Sequence, residues 1–94
     1  MLYVIFCTDK ADHAHVRAAT RPDHLDYVGG FKEHLVTVGP TLSDDGEGMN
    51  GSLLVVDFPD REAVDDFAQG DPYAKAGLFE SVIIRPWKQV IPKG

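Results

Sequence analysis

Apolar residues run from Leu2 to Cys7 as Leu-Tyr-Val-Ile-Phe-Cys and give way to Asp9-Lys10. A run this rich in β-branched and aromatic side chains predicts a strand over Leu2–Thr8, central in its sheet. Between Asp12 and Leu35 the pattern changes: Val16, Leu25, Val28, Phe31 and Leu35 follow a three- and four-residue spacing, the period of a helix with one buried face. Pro22 interrupts that period. Proline costs about 3 kcal/mol inside a helix but is tolerated in a first turn, where its missing N–H has no partner anyway. The segment is therefore expected to break, with a helix starting at Thr20-Arg21-Pro22-Asp23, Thr20 as its N-cap and Gly29-Gly30 weakening its middle.

Val36–Pro40 reads as a short second strand. Thr41–Gly51, with three glycines and four acidic or amide residues, reads as a mobile loop. Ser52–Phe58 forms a third strand carrying apolar residues on both faces. Asp60 can cap a second helix, whose Ala63, Val64, Phe67 and Ala68 share one side. Asp71-Pro72 opens a further helical turn through Ala76, stopped at Gly77. Phe79–Trp87 contains the last strand. Strand, helix, strand, strand, helix, strand is the ferredoxin-like βαββαβ plan, an α+β fold with a four-stranded antiparallel sheet and helices on one face. The other apolar face must be covered, and a second copy's sheet is the economical cover, which predicts a two-fold homodimer with its sheets face to face.

Composition narrows the picture. A chain of 94 residues, 44% hydrophobic and 26% charged, fits a single domain over 1–94 without repeats or linkers. Domains of this size bury only roughly 60–65% of their unfolded surface and gain from pairing. The formal charge of −6, with basic residues scattered along the chain, argues against nucleic-acid partners. Cys7, the lone cysteine, rules out an intramolecular disulfide and suits a reducing cytoplasm. No leader peptide or membrane-spanning run is expected.

Several stretches together resemble one known family: Tyr3-Val4-Ile5-Phe6 with Asp9, Arg21-Pro22-Asp23-His24-Leu25, Val38-Gly39-Pro40, Gly51-Ser52, Asp71-Pro72-Tyr73 with Ala76-Gly77, and Ile84-Arg85-Pro86-Trp87-Lys88. Each motif is weak alone. In this order and spacing they resemble the YciI-like family over nearly the whole chain. The resemblance implies a ferredoxin-like dimer of the dimeric α+β barrel group, a pocket between sheet and helices, and a histidine–aspartate pair as its chemistry. It implies no single reaction; family members and relatives act in aromatic catabolism as lactone isomerases or dehydrohalogenating enzymes.

His24 is the candidate proton carrier, because an imidazole can both take and give a proton near neutral pH. Asp71, in the family's Asp-Pro-Tyr motif, is the candidate partner that orients it, although an aspartate before proline is also an ordinary helix cap. Asp9 is the alternative partner and a candidate pocket residue. Arg17, Arg21 and His24 are spaced so that an unbroken helix projects them from one side, where the arginines would stabilise a carboxylate, phenolate or enolate. Ser52 and Tyr73 complete the substrate-binding set. His13, His15 and His34 have no metal-ligand spacing, and a haem role for His24 or His34 ranks low. Gly46-Glu47-Gly48 lacks a phosphate-loop pattern, so no cofactor is indicated. The leading expectation is a cofactor-independent lyase or isomerase of a small hydroxylated ring compound, a dehydrochlorinase among them. The competing ones are a non-catalytic metabolite-binding or stress-associated dimer, and a domain that serves assembly alone.

Overall fold

The computed structural model describes residues 1–93. Its elements are β1 (Leu2–Asp9), α1 (Ala14–Gly29), a 3-10 turn at Lys32–His34, β2 (Leu35–Leu42), β3 (Met49–Asp57), α2 (Arg61–Gly70), α3 (Pro72–Lys75) and β4 (Phe79–Trp87). The strands pair in the order β2-β3-β1-β4, all antiparallel. This is the ferredoxin-like α+β plan that the pattern predicts.

Side chains alternate across the sheet, so odd positions of β1 and even positions of β3 share the helix-covered face. There Tyr3, Ile5, Cys7, Leu54, Val56 and Phe58 pack with Val28, Val64 and Phe67 into the core. The same parity places Asp9 at the end of β1 and Ser52 near the start of β3 on the face that meets α1. A register shift between Thr8 and Asp9 ends the regular pairing with β4 there.

On the opposite face Phe6 stands between Leu53 and Ile83 in register, and these three remain 43%, 38% and 47% exposed. Trp87, on the same face, is also exposed. Among the described residues no helix is long and apolar enough to cross a membrane.

Three sequence expectations need correction. α1 does not break at Pro22: it runs from Ala14 to Gly29, with His13 in the capping position and Thr20 in the interior. The missing Pro22 N–H would have served the Ala18 carbonyl, and both residues are exposed, so water can take the carbonyl's bond. Gly29-Gly30 ends α1 instead of weakening its middle, with the Gly30 N–H donating to the Tyr27 and Val28 carbonyls. The β2–β3 connection is shorter than Thr41–Gly51, because Leu42 pairs with Met49 and the Ser43 N–H bonds the Gly48 carbonyl at 2.8 Å. Asp60 caps α2 as expected, accepting from the Ala63 amide at 2.9 Å.

Candidate functional site

Because α1 is continuous, Arg17, Arg21 and His24 fall at spacings of four and three on one side of it. Arg17 and His24 point at the sheet and are buried, whereas Arg21 is exposed. The floor beneath them is Ser52, buried on β3, and the end wall is Tyr73, buried on α3. Val38, Gly39 and Pro40 of β2, Met49 of β3 and Leu25 of α1 complete a cavity of about 160 Å³.

His24 Nδ1 lies 2.8 Å from Asp71 Oδ1. The same oxygen accepts the Tyr73 amide hydrogen at 2.9 Å, the capping bond of α3. Asp71 therefore acts as cap and histidine partner together, and an oxygen already accepting one hydrogen assigns the donor role to Nδ1–H. In the neutral ring that leaves the lone pair on Nε2. Among the described residues Nε2 has no partner, and no buried side-chain polar atom is left without one. Nε2 is thus open to the cavity that His24 lines.

Asp9 does not pair with His24 and does not line the cavity. Both of its oxygens are taken by Arg17, at 2.7 Å from Nε and 2.9 Å from a terminal nitrogen. That nitrogen also donates to Ser52 Oγ at 3.0 Å. Burial works against the Arg17 charge, but the Asp9 hydrogen bonds and charge outweigh it and hold the guanidinium above its ordinary range. Arg21 makes no ion pair among the described residues, so it is the uncompensated cation of the cavity. Burial raises the Tyr73 hydroxyl above its ordinary pKa, opposed by the nearby Arg17 and Arg21 charges.

Behind the site the Cys7 thiol is pushed up to about 12, first by burial and then by the Asp71 charge, so it is no nucleophile at neutral pH. Among the described residues no three His, Cys, Asp or Glu side chains cluster to hold a metal. The cavity thus joins five of the seven sequence candidates directly, with Asp71 and Asp9 standing behind His24 and Arg17. The apolar wall of Leu25, Val38, Gly39, Pro40 and Met49 was not foreseen as lining. Its sequence signals were the Val38-Gly39-Pro40 motif and Leu25 at the end of the Arg21–Leu25 motif, while Met49 had none.

A family model, the YCII-related domain, matches residues 1–88. The chain belongs to the YciI-like family. Proteins named YciI from Escherichia coli and Shigella flexneri are each 37% identical over 97 residues, covering 96% of this chain and 99% of theirs. Among solved structures, the 5-chloro-2-hydroxyhydroquinone dehydrochlorinase TftG from Burkholderia phenoliruptrix, in complex with 2,5-dihydroxybenzoquinone, is 34% identical. It aligns with a TM-score of 0.87 over 94% of each chain. An antibiotic biosynthesis monooxygenase shares the fold at 12% identity and a TM-score of 0.54, over 95% of this chain and 100% of its own.

Proposed function

We propose that this protein is a cofactor-independent lyase that removes hydrogen halide from a small hydroxylated ring compound in aromatic breakdown. The observation that carries the reading is the His24–Asp71 pair, with Nδ1 tied back and Nε2 open to a cavity that also holds the unpaired Arg21. Support comes from the likeness to TftG, whose dehydrochlorinase activity and bound dihydroxybenzoquinone are of this chemical class. The cavity's about 160 Å³ suits one ring, since an apolar cavity of about 150 Å³ takes benzene.

In this scheme His24 Nε2 takes a proton from a ring hydroxyl while Arg21 holds the developing oxyanion. The proton returns to the carbon that bears the halogen. A second hydroxyl proton then leaves, and the halide departs with the electron pair of its carbon–halogen bond. The sum is loss of hydrogen halide, with the ring left as a quinone and no outside oxidant. Asp71 keeps the ring's tautomer and stabilises the imidazolium that forms between the two transfers.

We assign the working form to a homodimer in the cytoplasm, with the exposed Phe6, Leu53, Ile83 and Trp87 covered by a second copy's sheet. The test is chloride release from 5-chloro-2-hydroxyhydroquinone by the wild type and His24→Gln. Release by the wild type that falls at least about 100-fold in the variant supports the scheme. Equal release by both refutes it, and ligand binding without any release points to a metabolite-binding module instead.

A further inference from the structure

Among the candidates that line the cavity, Arg17 is the one whose position fits a substrate-binding role least. Its Nε and one terminal nitrogen are spent on Asp9 and Ser52, and its charge is met by a carboxylate buried beside it. A guanidinium so paired has little field left for a substrate anion. Arg21 lines the same cavity and makes no ion pair among the described residues, so its charge is not already committed to a carboxylate.

Arg17 does have another neighbour. Its Cζ lies 4.5 Å from the centroid of the Tyr73 ring. The His24 imidazole stacks on that ring too, at 4.0 Å between centroids and 18° between planes. Arg17 and His24 are seven residues apart on α1, about 10.5 Å along the helix axis. Both side chains nonetheless meet at the one Tyr73 ring. Tyr73 is 1% exposed, and its amide is bonded to the carboxylate oxygen that holds His24 Nδ1. The ring plane of His24 is thus set from two directions by one residue, and Arg17 packs on the ring that sets it.

We propose that Arg17 is a positioning residue: clamped by Asp9 and Ser52, it presses Tyr73 against His24 and so fixes the imidazole plane, leaving the substrate's charge to Arg21. The catalytic side of this inference rests on the lyase reading. The positioning side does not, and the two are separated by their readouts.

The experiment compares Arg17→Lys with Arg21→Gln, folding being checked by circular dichroism. Lysine keeps the charge but loses the planar fork that bonds Asp9 twice and lies over a ring. The first readout, long-range proton–nitrogen NMR of the His24 ring, needs no substrate. Arg17→Lys is expected to shift or split the His24 ring signals and dilute the Nδ1–H tautomer, while Arg21→Gln leaves them as in the wild type. The second readout is chloride release. A displacement of about 1 Å costs up to about 100-fold, so Arg17→Lys is expected to lower kcat about 10- to 100-fold with KM within about twofold of wild type. Arg21→Gln is expected to raise KM and, through the lost oxyanion contact, to lower kcat as well.

An Arg17→Lys protein with unchanged His24 signals overturns the proposal, and so does one whose KM rises while kcat holds. Failure of the wild type to release chloride removes the lyase reading and leaves the NMR comparison to decide positioning. If Arg17→Lys does not fold, Tyr73→Phe and Tyr73→Leu replace it: Phe keeps the stack and should preserve the His24 signals, and Leu should not. Equal effects of the two, or none from either, refute it.

Discussion

Replacing Asp71 separates its two duties. One carboxylate oxygen accepts both His24 Nδ1–H and the Tyr73 amide, and Asp71 is 4% exposed. Asp71→Ala removes a cap, worth about 1 kcal/mol. It also leaves the buried His24 Nδ1–H unmet at about 1–3 kcal/mol. The expected loss is about 2–4 kcal/mol, a large share of the stability of a domain this small, and a fall in Tm of roughly 10–30 °C. Asp71→Asn keeps an oxygen in place for both donors and loses only the charge. A hydrogen bond to a charged group contributes about 1–2 kcal/mol more than a neutral one. The variant should therefore melt within about 10 °C of wild type while chloride release slows about 5- to 30-fold. Thermal melts and initial rates on the same samples measure both. An Asn variant that folds as wild type and turns over within twofold of it would show that the carboxylate charge does no catalytic work and that Asp71 is a cap alone. An Ala variant that melts as wild type would refute the geometry itself.

Gly51→Ala should destabilise by about 1–3 kcal/mol or more in a denaturant titration, because a Cβ there would collide with the Cys7 carbonyl and stand 2.5 Å from Thr41 Oγ1; an unchanged midpoint would sink that expectation. The Cys7 pKa of about 12 against the ordinary 9.0 means the folded state keeps a proton that the unfolded chain releases. Stability should thus be unaffected by this group below about pH 9 and fall as pH rises from there toward 12, as the raised Tyr27 and Tyr73 hydroxyls also require. The native thiol should resist iodoacetamide at pH 8 and react once unfolded, and rapid native labelling would contradict its burial. Phe6→Asp and Ile83→Asp change residues on the open sheet face and should leave the single chain folded. Sedimentation is expected to find a dimer for wild type and monomers for these variants; a dimer in all three would place the contact elsewhere.

The strands, α2 and α3 were legible because their signals are local: an apolar run at Leu2–Cys7, a cap at Asp60, a stop at Gly77. α1 was misread because the expected cost of Pro22 assumes that its orphaned carbonyl is buried, and whether Ala18 faces water is decided by the sheet, not by the helix's own residues. The buried stripe of that helix includes Arg17 and His24, which no hydrophobic period counts as core. For the same reason Asp9 was assigned to the pocket: its partner is eight residues on, reached only when β1 and α1 pack. His24 and Asp71 are 47 residues apart, and their nomination depended on family motifs; spacing alone gave no warrant for the contact.

The unbroken helix also limits how this site can change over generations. Arg17, Arg21 and His24 ride on a single α1, so inserting one residue between Arg17 and His24 turns the imidazole about 100° away from its stack and its carboxylate. No adjustment of neighbouring side chains restores such a rotation. Length variation among descendants of this chain should accumulate in the solvent-facing turn from Ser43 to Gly48, while the span from Arg17 to His24 keeps its count and tolerates exchange only on its outer side.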